Sequence, residues 1–296
     1  MPIDPLRPRR LLVIYNPAAG WRRRRQFARV IALLEKLGCA VTVVRTRERG
    51  DAERLARVAE PGRYDLVVAA GGDGTINEVI NGLAESALPL ALLPLGTANV
   101  LAAEVGLDGD AYAIAEAIAF RPPRPIFLGT ANGRRFALMV GVGFDARVVE
   151  ELDLKLKRLI GKAAYALSAL GQLMSYRSQR YQVEIGHERF SAAAIVVAKG
   201  HYYGGRFVIA ARARLEDPQL HVAIFERPGR WNLVRYAWAL ITDRLDRLRD
   251  VVILPATKLT VHGPDGEGVH ADGDLIASLP LSVALAERPL ALVTAT

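Results

Sequence analysis

The chain has 296 residues, 51% of them hydrophobic and 24% charged, a balance that excludes a disordered chain and leaves room for two domains of ordinary size. Thirty-nine Lys and Arg against 31 Asp and Glu give a net charge of +8, which favours approach to a polyanion without choosing among nucleic acid, nucleotide and an anionic membrane face. The single cysteine, Cys39, excludes an internal disulfide and a cysteine metal cluster and fits a reducing cytoplasm; no apolar run approaches the ~18 residues of a membrane span.

Residues 11–15 read as a buried strand that ends in Asn16-Pro17-Ala18-Ala19-Gly20. Turn formers at the carboxyl end of a strand stand where open α/β sheets bind ligands, so a phosphate or ribose contact is expected there. Phe27, Val30, Ile31 and Leu34 then mark one helix face at i, i+3, i+4, i+7. Arg22 to Arg25 open that helix, where cations are unfavourable; they point either to an external anion or to a solvated charge run. A strand over 40–45, a helix over 51–60 and a strand over 65–70 complete a β-α-β-α-β order, which predicts a parallel sheet.

The third strand breaks into Gly71-Gly72-Asp73-Gly74-Thr75 before apolar residues resume at helical spacing. Glycines where a helix begins leave amides and the positive helix end directed at one spot, which makes an anion site. A carboxylate beside phosphate is repelled unless a cation lies between them, so Asp73 points to a divalent metal, and a nucleoside triphosphate with magnesium is the first ligand to test. The bland alternative is a tight turn in which Thr75 and Glu78 form a capping box. Neither G-x-x-x-x-G-K-[ST] nor G-x-G-x-x-G is present, so this is another nucleotide fold. Residues 89–94 supply a fourth strand, and Leu95-Gly96-Thr97-Ala98-Asn99 opens the next helix. Loops at the ends of neighbouring parallel strands converge, so Asn16, Thr46, Asp73 and Thr97 are expected to line one crevice.

After a helix over 111–120, the stiff segment Arg121-Pro122-Pro123-Arg124-Pro125 marks a domain boundary. The predicted first domain is 1–122 and the second 126–296, with the last strand free to return to the first. Strand-like runs at 136–142, 181–185, 192–198, 207–211, 220–226 and 251–261 make the second domain mainly antiparallel β. Helical inserts are expected at 146–176, as a core or an interfacial helix, and at 231–248. Near the end, Asp272-Gly273-Asp274 closes a stretch dense in carboxylates; it fits either a hairpin turn or a functional loop. His201, His221 and His262 show no metal spacing.

Taken together, Asn16 to Gly20, Thr46 ahead of Gly50-Asp51-Ala52, Gly71 to Glu78, Pro94 to Asn99, Gly141 to Ala146, Tyr203-Gly204-Gly205 and Asp272-Gly273-Asp274 resemble the diacylglycerol kinase catalytic-domain family. That family includes bacterial lipid kinases and the sphingosine and ceramide kinases. The resemblance covers nearly the whole chain. It implies a phosphofructokinase-like α/β nucleotide domain, its parallel sheet covered by helices on both faces, followed by an antiparallel β-sandwich. It implies an ATP-dependent lipid kinase with magnesium, working at the cytoplasmic membrane surface. The +8 charge and the lack of a spanning run make a peripheral, electrostatic association with an anionic surface the expectation, with no nucleic acid partner and with a homodimer left open. ATP would lie on Asn16, Pro17, Ala18, Ala19, Gly20, Thr46, Gly71, Gly72, Asp73, Gly74, Thr75, Ile76, Asn77 and Thr97. Asp73 would face magnesium, and Asp274 or Asp272 would take the proton from the lipid hydroxyl. A structural magnesium held in some bacterial members would fall near Asp217, although Asp217-Pro218-Gln219-Leu220 replaces the family's Asp-Gly-x-Leu. Asp274 stands where the family usually has Glu, and Val100 where it usually has Asp. An NAD kinase, which shares the Gly-Gly-Asp-Gly-Thr motif, and a silent lipid-binding relative are the competing readings.

Overall fold

The structure is a computed structural model that describes residues 8–19, 23–143, 179–203 and 207–295. Gly20 and the helix expected over 146–176 lie outside the described residues. The chain divides into two compact units, Met1–Leu128 with Glu287–Thr296, and Gly129–Ala286.

In the first unit, β1 (Arg10–Tyr15) pairs in parallel with β2 (Ala40–Arg45) on one side and β3 (Leu66–Gly71) on the other, and β4 (Leu90–Pro94) follows β3. Strands β3 and β4 are buried along their whole length, and β1 beyond its first residue, because helices cover both faces of a parallel sheet and its strands need no polar side. The chain runs outward from β1 to β2, then back past β1 to β3. Right-handed crossovers in opposite directions put α1 (Arg24–Lys36) and α2 (Asp51–Arg57) on opposite faces. Accordingly α1 packs with α5 (Ala111–Phe120) and α2 with α3 (Asp73–Gly82). The reversal leaves a switch point between β1 and β3, where such sheets bind ligands. Buried Arg9 donates to the carbonyl oxygens of Ile118 and Arg121 and so ties the start of β1 to the end of α5.

Two sequence expectations change here. The proline-rich segment is not a linker: β5 (Pro123–Ile126) is the last strand of the first sheet and pairs with β20 (Leu290–Val293), which lies between β4 and β5. Proline removes an amide donor, and an edge strand is where that loss is tolerated. The division therefore falls after Leu128, later than the expected boundary, while the segment from Glu287 onward belongs with the first unit, in line with a last strand free to return there.

The second unit is a sandwich of two six-stranded antiparallel sheets. One sheet holds β6 (Gly129–Ala131), β7 (Arg134–Phe136), β9 (Tyr181–Ile185), β10 (Glu188–Ala192), β16 (Lys258–His262) and β19 (Leu281–Leu285). The other holds β8 (Met139–Val142), β11 (Ala194–Ala198), β14 (Leu220–Phe225), β15 (Val251–Ala256), β17 (Gly268–Ala271) and β18 (Asp274–Ser278). Ribbon β12 (Tyr202–Tyr203) with β13 (Phe207–Val208) is all that forms of the strand expected over 207–211. The run 251–261 is two strands, since β15 pairs with β14 and β16 with β9 and β19, so the chain changes sheets between them.

Alternation along the second sheet explains its continuous burial. Val140, Val142, Ile195, Val197, Val222 and Ile224 face the sandwich core, while Met139, Val196, Ala223 and Phe225 face outward and pack against α6 (Arg230–Ile241). Both faces of the sheet are covered, so the polar-out pattern of a one-sided sheet is absent. The helix expected over 231–248 ends at Ile241, beyond which Asp243 adopts a left-handed conformation and Leu245–Arg247 forms a 3-10 turn.

Candidate active site

The carboxyl ends of β1, β3 and β4 bring one group of motif residues together. The Asn16 amide group donates to Thr75 Oγ1 at 2.9 Å, its Oδ1 accepts from Ala18 N at 3.0 Å, and its backbone amide donates to Ala70 O. Thr46, buried at the end of β2, donates through its backbone amide to Tyr15 O. Residues 71 and 94 face each other across β3 and β4, so the two loops that follow run side by side. A Cβ on Gly96 would lie 2.6 Å from Gly72 Cα, and one on Gly71 would lie 2.5 Å from Thr75. Gly72 and Gly96 are therefore required by close backbone packing and Gly71 by the Thr75 side chain, and the Gly-Gly-Asp-Gly-Thr and Leu-Gly-Thr-Ala-Asn motifs occur together because each leaves space for the other.

Helix α3 starts at Asp73, and its first internal bond runs from Ile76 N to Gly72 O, so the amides of Gly74 and Thr75 precede it. Asp73 Oδ1 accepts from Val100 N at 2.8 Å and caps α4 (Val100–Glu104), which follows Asn99 in a left-handed conformation. Asn99 closes its own loop, accepting from Gly96 N and donating to Gly96 O. Arg23, just ahead of α1, donates to Pro94 O at 3.5 Å, and no acid stands in the first turn of α1. One of the four helix-opening arginines thus reaches the strand ends. Thr97 and Ala98 are exposed on the Gly96 loop.

Several assigned residues do other work. Ile76 is core, 1% exposed, and Asn77 is buried within α3, where its carbonyl and side-chain oxygens accept from Asn81. The capping box does not form: Gly72 precedes the helix, Thr75 accepts from Asn16, and Glu78 reaches Gly50 N and Ala52 N at the start of α2, 3.0 and 3.1 Å away. The role of Asn99 was absent from the sequence assignments, and a turn-prone asparagine just before a helix was the available signal. Arg23 belongs to the helix-opening arginines whose unfavourable placement already pointed to an external anion or a solvated charge run.

The second group lies in the hairpin of β17 and β18. Asp272 and Gly273, at φ 50° and 88°, form its two-residue turn, with Ala271 opposite Asp274. Positive φ at both positions is the turn that suits the twist of paired strands. The Asp272 carboxylate accepts from three successive amides, Ala137 at 2.7 Å, Leu138 at 2.8 Å and Met139 at 3.0 Å, and its own amide donates to Met139 O. Asp272 thus fastens the hairpin to the start of β8, its carboxylate engaged by backbone amides of the same sandwich. Asp274 opens β18 and is half-buried.

Magnesium is commonly held by one or two carboxylates together with substrate phosphates and waters. Asp73, beside the first-turn amides of α3, fits a magnesium that arrives with a nucleotide. Asp217 does not fit one. It is exposed, and among the described residues no group of three or more His, Cys, Asp or Glu could hold a metal. The wholly buried Lys199 ammonium already donates to the carbonyl oxygens of Arg214 and Leu215 just upstream, and a fixed positive charge there opposes a second cation. Burial, with the Lys199 charge beside it, pushes the nearby His221 imidazole below its ordinary pKa.

Comparison with known proteins shows the family. The pattern described as the diacylglycerol kinase catalytic domain matches residues 10–131, and the YegS C-terminal NAD kinase beta sandwich-like domain matches residues 138–294. The chain belongs to the diacylglycerol kinase catalytic-domain family. Within this lipid kinase family it is 28% identical to "Diacylglycerol kinase" of Bacillus subtilis (strain 168) over 278 residues, 92% of each chain. It is 34% identical over 229 residues to "Probable lipid kinase YegS-like" of Pseudomonas aeruginosa, 74% of this chain and 72% of the relative. A crystal structure of a diacylglycerol kinase from Bacillus anthracis str. Sterne superimposes with a TM-score of 0.79 at 22% identity, covering 97% of each chain, and shares the fold.

Proposed function

We propose that this family member transfers the γ-phosphoryl group of ATP to a hydroxyl of a membrane lipid, diacylglycerol or a sphingoid-like lipid, as a peripheral enzyme on the cytoplasmic face of an anionic membrane. The observation that carries the reading is the close packing of Gly72 on Gly96, in a chain whose relatives are named lipid kinases. That packing, with the Asn16 bond to Thr75, sets Asn16, the start of α3 and Asp73 beside the switch point, where amides and a helix end favour phosphate. Magnesium would neutralise phosphate charge beside Asp73. Arg23, at the same strand ends, adds a fixed positive charge, and such transfers depend mainly on positioning and charge. The bond from γ-phosphorus to the ADP oxygen breaks as one to the lipid oxygen forms. The lipid's hydroxyl proton passes to the Asp274 carboxylate.

The test is incubation with γ-labelled ATP and a total lipid extract, with diacylglycerol, sphingosine and NAD as separate arms. Label in a lipid is expected. Label in NAD alone would replace the reading with a small-molecule kinase, and label in no arm would leave a lipid-binding relative.

A further inference from the structure

A surface helix ordinarily turns charged residues outward and apolar ones inward; α6 does not. Its inner side follows the rule, with Tyr236 and Ala239 buried against Met139, Val196, Ala223 and Phe225 of the sandwich. Tyr236 donates to Asp250 Oδ2 at 2.7 Å and accepts from Arg227 N, while Arg235 pairs with the same carboxylate, so the helix is fixed in rotation. Its outer side carries Trp231, Val234, Trp238 and Ile241, at i, i+3, i+7 and i+10, exposed by 77, 42, 66 and 59%. Two of the three tryptophans in the chain thus stand on one outward stripe, bounded by Arg230.

We infer that the outward face of α6 is the surface by which this protein docks on an anionic bilayer. Tryptophan has an apolar body with one polar N–H, and so suits the boundary between headgroups and acyl chains. The helix contains two arginines and no acid. The segments on either side add exposed Arg227, Arg244, Arg247 and Arg249 against exposed Glu226, Asp243 and Asp246. A short helix with tryptophan on one side and arginine beside it lies in the plane of a membrane interface, and the +8 charge of the whole chain favours the same approach. A hydrophobic contact with a second protein would not call for the surrounding arginines. The proposal deepens the reading of a membrane lipid as substrate and rests on it, but its test does not require activity.

Vesicles of equal parts phosphatidylglycerol and phosphatidylcholine serve as the probe, with binding measured by sedimentation. The Trp231→Ala, Trp238→Ala double variant should partition at least about tenfold less than wild type, with an unchanged melting temperature because both side chains are exposed. In a Trp21→Phe background, the emission of the remaining tryptophans should shift to the blue when vesicles are added, and brominated lipid should quench it. Equal partitioning of the double variant overturns the proposal. So does emission that is already blue-shifted without vesicles and indifferent to them, which would mean that another part of the chain or a second copy covers the stripe. A protein that binds through these tryptophans yet phosphorylates no lipid keeps the docking surface and loses the substrate reading; one that phosphorylates lipid while the double variant binds normally does the reverse.

Discussion

Asp73 and Asp272 look alike in the sequence, each next to glycine in a turn that follows a strand, yet they hold different things in place. Asp73 stands at the start of a helix and accepts from the first amide of another, Val100 N, so its charge sits among helix ends that attract anions. Asp272 is in a hairpin turn and accepts from three amides in a row, so its charge is matched by a fixed corner of the sandwich. The surroundings of an acid, more than the glycines beside it, decide whether its charge serves a ligand or the fold.

The comparison is sharpest at Asp274, which the Asp272 turn positions. Asp274→Asn should lower turnover by about 10² to 10⁴ while ATP affinity, measured by calorimetry, stays as it was; full turnover would move the base elsewhere. Asp73→Asn should lower turnover by about 10² to 10³, as expected for loss of one charge-stabilising group. The amide oxygen still accepts from Val100 N, so the melting temperature should hold, whereas Asp73→Ala should lower both. Asp272→Ala should act the other way round. It strands three amides and should lose about 1 to 3 kcal/mol of stability in urea, with any fall in turnover recovered by cooling. If Asp272→Ala is as stable as wild type but inactive, the two acids have been distinguished wrongly.

The smallest effect concerns pH. Burial holds the His221 pKa below its ordinary 6.5. Between the depressed value and 6.5 the unfolded chain binds a proton that the folded chain refuses, so stability falls as pH drops below about 6.5. Melting temperatures from pH 7.5 down to 5 should show this decline, and His221→Gln should flatten it.

The first unit was legible because its motif residues sit at strand ends, where a short stretch of sequence reports both the strand and the turn after it. What stayed hidden was non-local. The glycines of the Gly71 loop suggest bare amide donors and Gly96 only a small polar loop, although Gly72 and Gly96 are each required by the other's backbone, visible once β3 and β4 are paired. Glu78 found its partners at Gly50 and Ala52, 28 and 26 residues upstream, in place of Thr75. The partners of Asp272 lie 133 to 135 residues before it, and nothing near the hairpin announces them. Strand β5 was masked by prolines that an edge tolerates. The run 251–261 alternates correctly for a strand, but alternation does not say which sheet each half joins. The sequence shows the outward tryptophans of α6 only as part of a helix, and their exposure is visible once the helix is seen on the sandwich.

The return of β20 to the first sheet has a consequence for how the protein is made. With β20 between β4 and β5, the sheet cannot close until the ribosome has synthesised all of the second unit. At ordinary rates of synthesis that interval is roughly 10 to 30 s. Throughout it the nascent chain presents the unpaired side of β4, an apolar edge that invites wrong partners, and β5 has no neighbour to pair with. Vulnerability to aggregation is therefore set by the length of the inserted sandwich and the pace of translation, so chains stalled short of residue 287 should depend on chaperones that the finished protein no longer needs.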